Sequence, residues 1–304
     1  MDVPAAQSEL VQLLNRVNPR ELPKLLHWMR NSDELDQLLS DNNNNNKVIL
    51  RNISDDLRAS LPPNAMFPSE STAHCKMQQC SRPTVHVDSF LYDEDQVDSL
   101  CENGTMSRSY CLTCGSHRTA PLDFLSHSFS IPELQFLFEN VLPDLSGRML
   151  VDVGSRLGAV LYGGYVFSAA SQLVGVELSE DFVRLQEDIV HRYNLSDRVQ
   201  VLHSDVCLQN VLLQNADVLI MNNVFEFFME PTEQVRAWNF IMKNFRKKGS
   251  LLVTVPSLQE SLNTLQQEAV QPGWVEELPV DCDVYLGADT DPDALRQIHL
   301  YRVL

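Results

Sequence analysis

Apolar and polar positions follow two different periods along this chain, and the change of period divides it. In residues 6 to 40 the apolar positions keep a helical spacing. Leu10, Leu13, Leu14 and Val17 form one stripe, and Leu22, Leu25, Leu26 and Met29 form a second after Asn18-Pro19, which predicts two helices with a short third over Asp33 to Leu39. Asp41 and the run Asn42 to Asn46 carry no apolar residue and read as a flexible connector. Ser130-Ile131-Pro132-Glu133 is a capping box with proline in the first turn, and Leu134, Leu137, Phe138, Val141 and Leu142 give the helix behind it one apolar face. From there amphipathic helices alternate with short apolar runs, the pattern of a parallel sheet. Strands are expected at Met149 to Val153, Leu173 to Glu177, Arg198 to Val206, Ala216 to Asn223 and Ser250 to Pro256, with Trp274 to Val280 and Gln297 to Leu304 closing the sheet. Thr232 is read as the cap of a helix to Phe245, and Ser257 to Glu268 as a further helix. The domain boundaries that follow are 1–41 helical, 42–46 connector, 47–129 accessory and 130–304 main domain.

Composition narrows the partners. The net charge of -18 repels phosphate backbones, so nucleic acid is disfavoured and a basic protein suits the field better. Arg246-Lys247-Lys248 is the one basic cluster, and it stands before Gly249 as cations do at a helix C-terminus. No charged and apolar leader is visible, and no apolar run approaches the roughly 20 residues of a membrane span. The expectation is a cytoplasmic or nuclear protein without a membrane partner. The seven cysteines fit a reducing compartment. Cys111-Leu112-Thr113-Cys114-Gly115 has the shape of a zinc knuckle, and Cys75 with Cys80 is the candidate second pair, while Cys101, His86 and His117 compete for the role. Buried free thiols are the competing explanation. The N-terminal helices must cover an apolar face, either within the chain or on a partner protein.

The polar tips of the apolar runs point to chemistry. Asp152-Val153-Gly154-Ser155-Arg156-Leu157-Gly158 ends the first strand in an acid and a glycine turn, and Glu177 ends the next strand roughly twenty residues later, the spacing of a βαβ unit that binds a ribosylated ligand. Glycines let backbone approach the ligand, and a carboxylate at the second tip can accept both hydrogen bonds of a ribose diol. A βαβ turn used only for packing stays open on these residues alone. Ser204-Asp205 and Asn222-Asn223 then end the third and fourth strands in polar residues, at the edge where open α/β sheets bind ligands.

These motifs, taken in order from Ser130 to Leu304, resemble the class I S-adenosylmethionine-dependent methyltransferases. The resemblance implies an α/β, Rossmann-like, mostly parallel seven-stranded sheet with flanking helices, here preceded by a helical N-terminal region and a small Cys-rich segment. It implies S-adenosyl-L-methionine as cofactor, with Asp152, Gly154, Ser155, Gly158, Glu177, Ser204, Asp205, Val206 and Asn222 around it; zinc, suggested by the cysteine spacing alone, is a candidate second cofactor in the accessory region. Asn222, Asn223 and Glu226 would face the methyl acceptor, with Phe225, Phe227 and Phe228 excluding water. His127 in Ser126-His127-Ser128 is a candidate lining residue. The family often has a glycine where this chain has Arg156, whose side chain would either crowd the methionine end or point to solvent. The activity implied is N-methylation of a protein side chain. A small-molecule amine or metabolite as acceptor, and a weakly binding or inactive scaffold, are the alternatives.

Overall fold

The computed structural model describes residues 3–30, 33–62, 64–70, 75, 83–113, 116–263, 273–285 and 292–304. The chain divides into two compact units, 1–52 and 53–304. The first holds α1 (Val3–Arg16), α2 (Leu22–Arg30) and the start of α3 (Asp33–Ser60). In this unit Leu10, Val11, Leu13 and Trp28 are exposed. Helix α3 runs unbroken through Asn42 to Asn46, so the connector expected there is replaced by helix. Asparagine is a poor but tolerated helix former, and a helix already nucleated gains one hydrogen bond with each residue it adds.

The second unit begins with small elements ahead of the main sheet. Strand β1 (Thr84–His86) is followed by α4 (Glu94–Glu102), whose Asp93 cap and Gln96 exchange both bonds of a capping box. Strands β2 (Ser109–Cys111) and β3 (Thr119–Pro121) pair antiparallel, and β4 (Asp123–Leu125) returns to pair parallel with β1. Cys75 and Cys111 are exposed free thiols, and Cys80 and Cys114 lie outside the described residues. Among the described residues no group of three or more His, Cys, Asp or Glu side chains could hold a metal ion, so the zinc expectation gains no support. No helix among them is long and apolar enough to cross a membrane.

Helix α5 (Ile131–Phe136) opens at the capping box read from the sequence and widens into a π turn, Leu137–Val141. The main sheet then follows: β5 (Met149–Val153), α6 (Ala159–Phe167), β6 (Gln172–Glu177), α7 (Glu180–Arg192), β7 (Val199–His203), α8 (Asn210–Asn215), β8 (Val218–Asn222), α9 (Pro231–Asn244), β9 (Leu251–Val255), α10 (Leu258–Asn263), β10 (Val275–Leu278), α11 (Pro292–Leu295) and β11 (His299–Val303). Its seven strands lie in the order β10-β11-β9-β8-β5-β6-β7. All neighbours pair parallel except β11, which is antiparallel to both β9 and β10. The sheet is therefore mixed, and the closing apolar runs form its antiparallel edge.

The central strands are continuously apolar because helices cover both faces. Val151, Leu219 and Leu252 share one core with Ala237, Trp238, Ile241 and Met242 of α9 and with Trp274 and Tyr301. Trp274 Nε1 donates to the Phe245 carbonyl at 2.9 Å, which satisfies the indole inside that core. Helix α9 starts two residues earlier than Thr232 suggests, with Glu230 at the N-cap and Pro231 first. The stretch from 264 to 268, expected as the end of α10, lies outside the described residues, as does 287–291.

Candidate functional site

Strand β5 lies between β6 and β8, so the chain leaves it once in each direction and the strand ends diverge there, which opens a crevice. The turn after β5 is shaped by backbone that glycine favours. Gly154 has φ +68° and Gly158 φ +83°, and a Cβ on Gly154 would stand 2.4 Å from Val224 Cγ2. Gly154 N–H donates to the Val176 carbonyl at 2.8 Å, which pulls the turn against β6. Arg156 has φ +45°, which accounts for the glycine that the resembling motif often carries here.

A cavity of about 320 Å³ occupies the crevice. It is lined from β5 by Val153 and Gly154, from β6 by Val176 and Glu177, and from the end of β7 by Ser204, Asp205 and Val206. Asn222, Asn223, Val224 and Phe225 line it from the end of β8. Glu177 is the best defined of these groups. Its Oε2 accepts the Arg156 N–H at 2.8 Å and its Oε1 the Ser179 N–H at 2.7 Å. A carboxylate offers about four acceptor sites, so acceptor capacity remains beside these bonds. Asp205 Oδ1 accepts the Cys207 N–H at 2.8 Å, and Ser204 Oγ accepts from Gln209 at 2.8 Å. Asn222 Oδ1 accepts from Asn223 Nδ2 at 3.1 Å, and Asn223 N–H donates to the Val255 carbonyl at 2.7 Å.

Asp152, Ser155, Gly158 and Glu226 are not among the residues that line the cavity. Asp152 and Ser155 are buried. Gly158 is the left-handed residue that starts α6, and a Cβ there would meet the Tyr162 ring at 2.6 Å. Glu226 Oε2 accepts the Phe225 N–H at 3.3 Å. Sequence reasoning also missed lining residues. Glu70, Leu178, Ser179, Phe182 and Met229 contribute, and Glu70 comes from a stretch with no readable pattern.

Burial dominates the electrostatics. Desolvation lifts Asp152 well above the ordinary carboxyl range, and repulsion from Glu177 adds to it. Desolvation also lifts Glu177, against the hydrogen bonds from Ser179, Arg156 and Leu178 and the Arg156 charge. For Asp152 the folded chain holds its proton to higher pH than the unfolded chain, whose carboxyl ionises near about pH 3.9, so its contribution to stability is lost as pH rises above that value. Asn at this position carries no such proton. The Asp152→Asn variant is therefore expected to gain on the wild type as pH rises from about 4 toward 8, by up to about 1.4 kcal/mol per pH unit while the native group stays protonated. Thermal unfolding across that range checks it; parallel curves would contradict it.

Arg156 neither crowds the cavity as a free cation nor points to solvent. Its side chain is buried, with Nε on Glu70 Oε1 at 2.9 Å, Nη1 on Asp88 Oδ2 at 3.0 Å, Nη2 on the Ala65 carbonyl, and the guanidinium 4.8 Å from the Phe182 ring centre. The turn after β5 is thus tied to the segment around Glu70. His127, the candidate named from Ser126-His127-Ser128, is buried and does line the cavity.

No family model matches the chain. A 107-residue stretch is 29% identical to a carboxy-S-adenosyl-L-methionine synthase of Psychromonas ingrahamii, covering 34% of this chain and 43% of that protein. The match thus spans less than half the length of that relative. Among solved structures, the chain is similar to an O-methyltransferase from Bacillus cereus in complex with SAH (15% identity, TM-score 0.40, covering 59% of this chain and 84% of that one). It is also similar to an RNA methyltransferase from Salinibacter ruber in complex with S-adenosyl-L-homocysteine (13% identity, TM-score 0.35, covering 57% and 88%).

Proposed function

We propose that this chain, which has the seven-stranded fold of the class I S-adenosylmethionine-dependent methyltransferases, binds S-adenosylmethionine in the cavity at the ends of β5 to β8 and methylates a nitrogen of a protein side chain. The observation that carries the reading is Glu177. A buried carboxylate at the second strand tip, held by backbone N–H groups and lining the cavity, suits a ribose diol. When bound, the cofactor supplies a methyl group activated by a sulfonium.

The remaining assignments follow from what each residue offers. Gly154 lets backbone approach the ligand, and Asp205 and Val206 take its base. Glu70, Glu177 and Asp205 outnumber Arg156 around the cavity, so its field favours a cation. Asn222 and Asn223 offer amide oxygens to an acceptor N–H, and Phe225 and Phe228 keep water out, which favours an uncharged nitrogen. Glu226 keeps its candidate place beside the acceptor. The scaffold alternative drew on Arg156 and on the absence of an Asn/Asp-Pro-Pro-Tyr motif; the Arg156 side chain is occupied by Glu70 and Asp88 while its N–H serves Glu177. A protein acceptor is preferred because the net charge of -18 attracts basic partners. Incubation with methyl-labelled cofactor and a whole-cell lysate is expected to place label in protein. Label confined to small molecules or RNA would replace the substrate class, and the absence of transfer would contradict the activity.

A further inference from the structure

We infer that His127 and the turn carrying Phe227 and Phe228 form the acceptor subsite of this cavity, where His127 hydrogen-bonds an uncharged N–H of the acceptor; the inference rests on the methyl-transfer reading above. His127 is 6% exposed and lines the cavity, yet both of its ring nitrogens are shielded from solvent without a hydrogen-bond partner. A neutral imidazole has one N–H to donate and one nitrogen to accept with. Leaving both unmet in a folded interior is uncommon, and it concentrates at functional positions.

The surroundings say what kind of group would meet them. On one face the His86 ring stacks at 4.8 Å, held by its Nδ1 against the Asn64 carbonyl at 2.6 Å. On the other side Phe228 stands edge-on at 4.8 Å and Phe227 at 5.2 Å. The nearby charges are committed elsewhere: Arg156 binds Glu70 and Asp88, and Asp88 also accepts from Ser128 Oγ at 2.7 Å. Burial, with His86 and Arg156 adding repulsion, holds His127 well below the ordinary imidazole range, so the ring is neutral at physiological pH. Glu70 and Asp88, the acids around Arg156, are paired with it, so neither is free to balance an ammonium beside His127. The group that fits is a flat, neutral one with an N–H, seated against the imidazole where the Phe228 ring now stands. Phe228 is therefore the cover that such an acceptor moves.

Imidazole at about pH 8 is such a group. Isotope-labelled protein saturated with S-adenosylhomocysteine is titrated with imidazole while the His127 ring nitrogens and the Phe228 ring are followed by NMR. Saturable shifts at both are expected, and His127→Phe is expected to weaken imidazole binding by about tenfold or more. The same variant should keep S-adenosylhomocysteine affinity within about threefold and melt no lower than wild type, because it removes two unmet polar atoms. His127→Asn, which keeps a hydrogen-bonding side chain, should recover part of the imidazole binding. Imidazole that leaves the His127 nitrogens unmoved, or that binds His127→Phe as it binds wild type, overturns the inference and leaves the cofactor site standing. Wild type that does not bind S-adenosylhomocysteine overturns the methyl-transfer reading and this inference together.

Discussion

Replacing Arg156 by methionine is expected to destabilise the 53–304 unit by about 3–5 kcal/mol, the usual cost of removing one partner from a buried ion pair. The reason is the company that the guanidinium keeps. Glu70 and Asp88 are themselves buried, and both direct their carboxylates at Arg156, at 2.9 and 3.0 Å. Methionine fills much of the same volume but leaves two acids without their cation, and the Ala65 carbonyl loses its donor. Lysine is expected to recover only part, because a single ammonium cannot reach the three acceptors that a planar guanidinium serves. Thermal or denaturant unfolding of the three proteins decides the matter. Position 156 has φ +45°, a strain that arginine, methionine and lysine share, so the difference among the three proteins reports the partners of the side chain. A methionine variant as stable as wild type would mean that the pairs contribute little and that the turn is held by other contacts.

Glu177→Ala is expected to weaken S-adenosylmethionine binding about 100-fold or more. Two charge-assisted hydrogen bonds to ribose hydroxyls, at about 1.5–3 kcal/mol each, set that scale. Alanine also releases the Arg156 and Ser179 N–H groups that the carboxylate now accepts. Glu177→Gln separates the two effects. Its amide oxygen can still accept, but its NH2 faces a backbone donor, so one of the two N–H bonds is lost while the volume is kept. A binding isotherm for Gln between those of wild type and Ala is the expected order. Equal affinity in all three would remove Glu177 from the site.

Much of the sheet was legible in the sequence because its signals are local. Four apolar runs ending in polar tips and a fifth apolar run predict parallel strands, and the closing runs complete the sheet. The capping box at Ser130 is likewise local and appears where the residues indicate. The misreadings have another cause. The partners of Arg156 stand 86 and 68 residues away, and nothing near position 156 signals either. Asp152 and Ser155 are buried and Gly158 starts a helix, burial and backbone geometry that the motif does not spell out. The Asn42 to Asn46 run misled through composition, since weak helix formers can be carried by helix on either side.

The account depends most on the cavity between β5, β6 and β8 being a nucleoside site for a sulfonium cofactor. Calorimetric titration of the intact wild-type chain with S-adenosylmethionine tests this most directly. One site with micromolar affinity, lost in Glu177→Ala while that variant remains folded, is the predicted result. No heat from folded wild-type protein, or heat that Glu177→Ala retains undiminished, would contradict it.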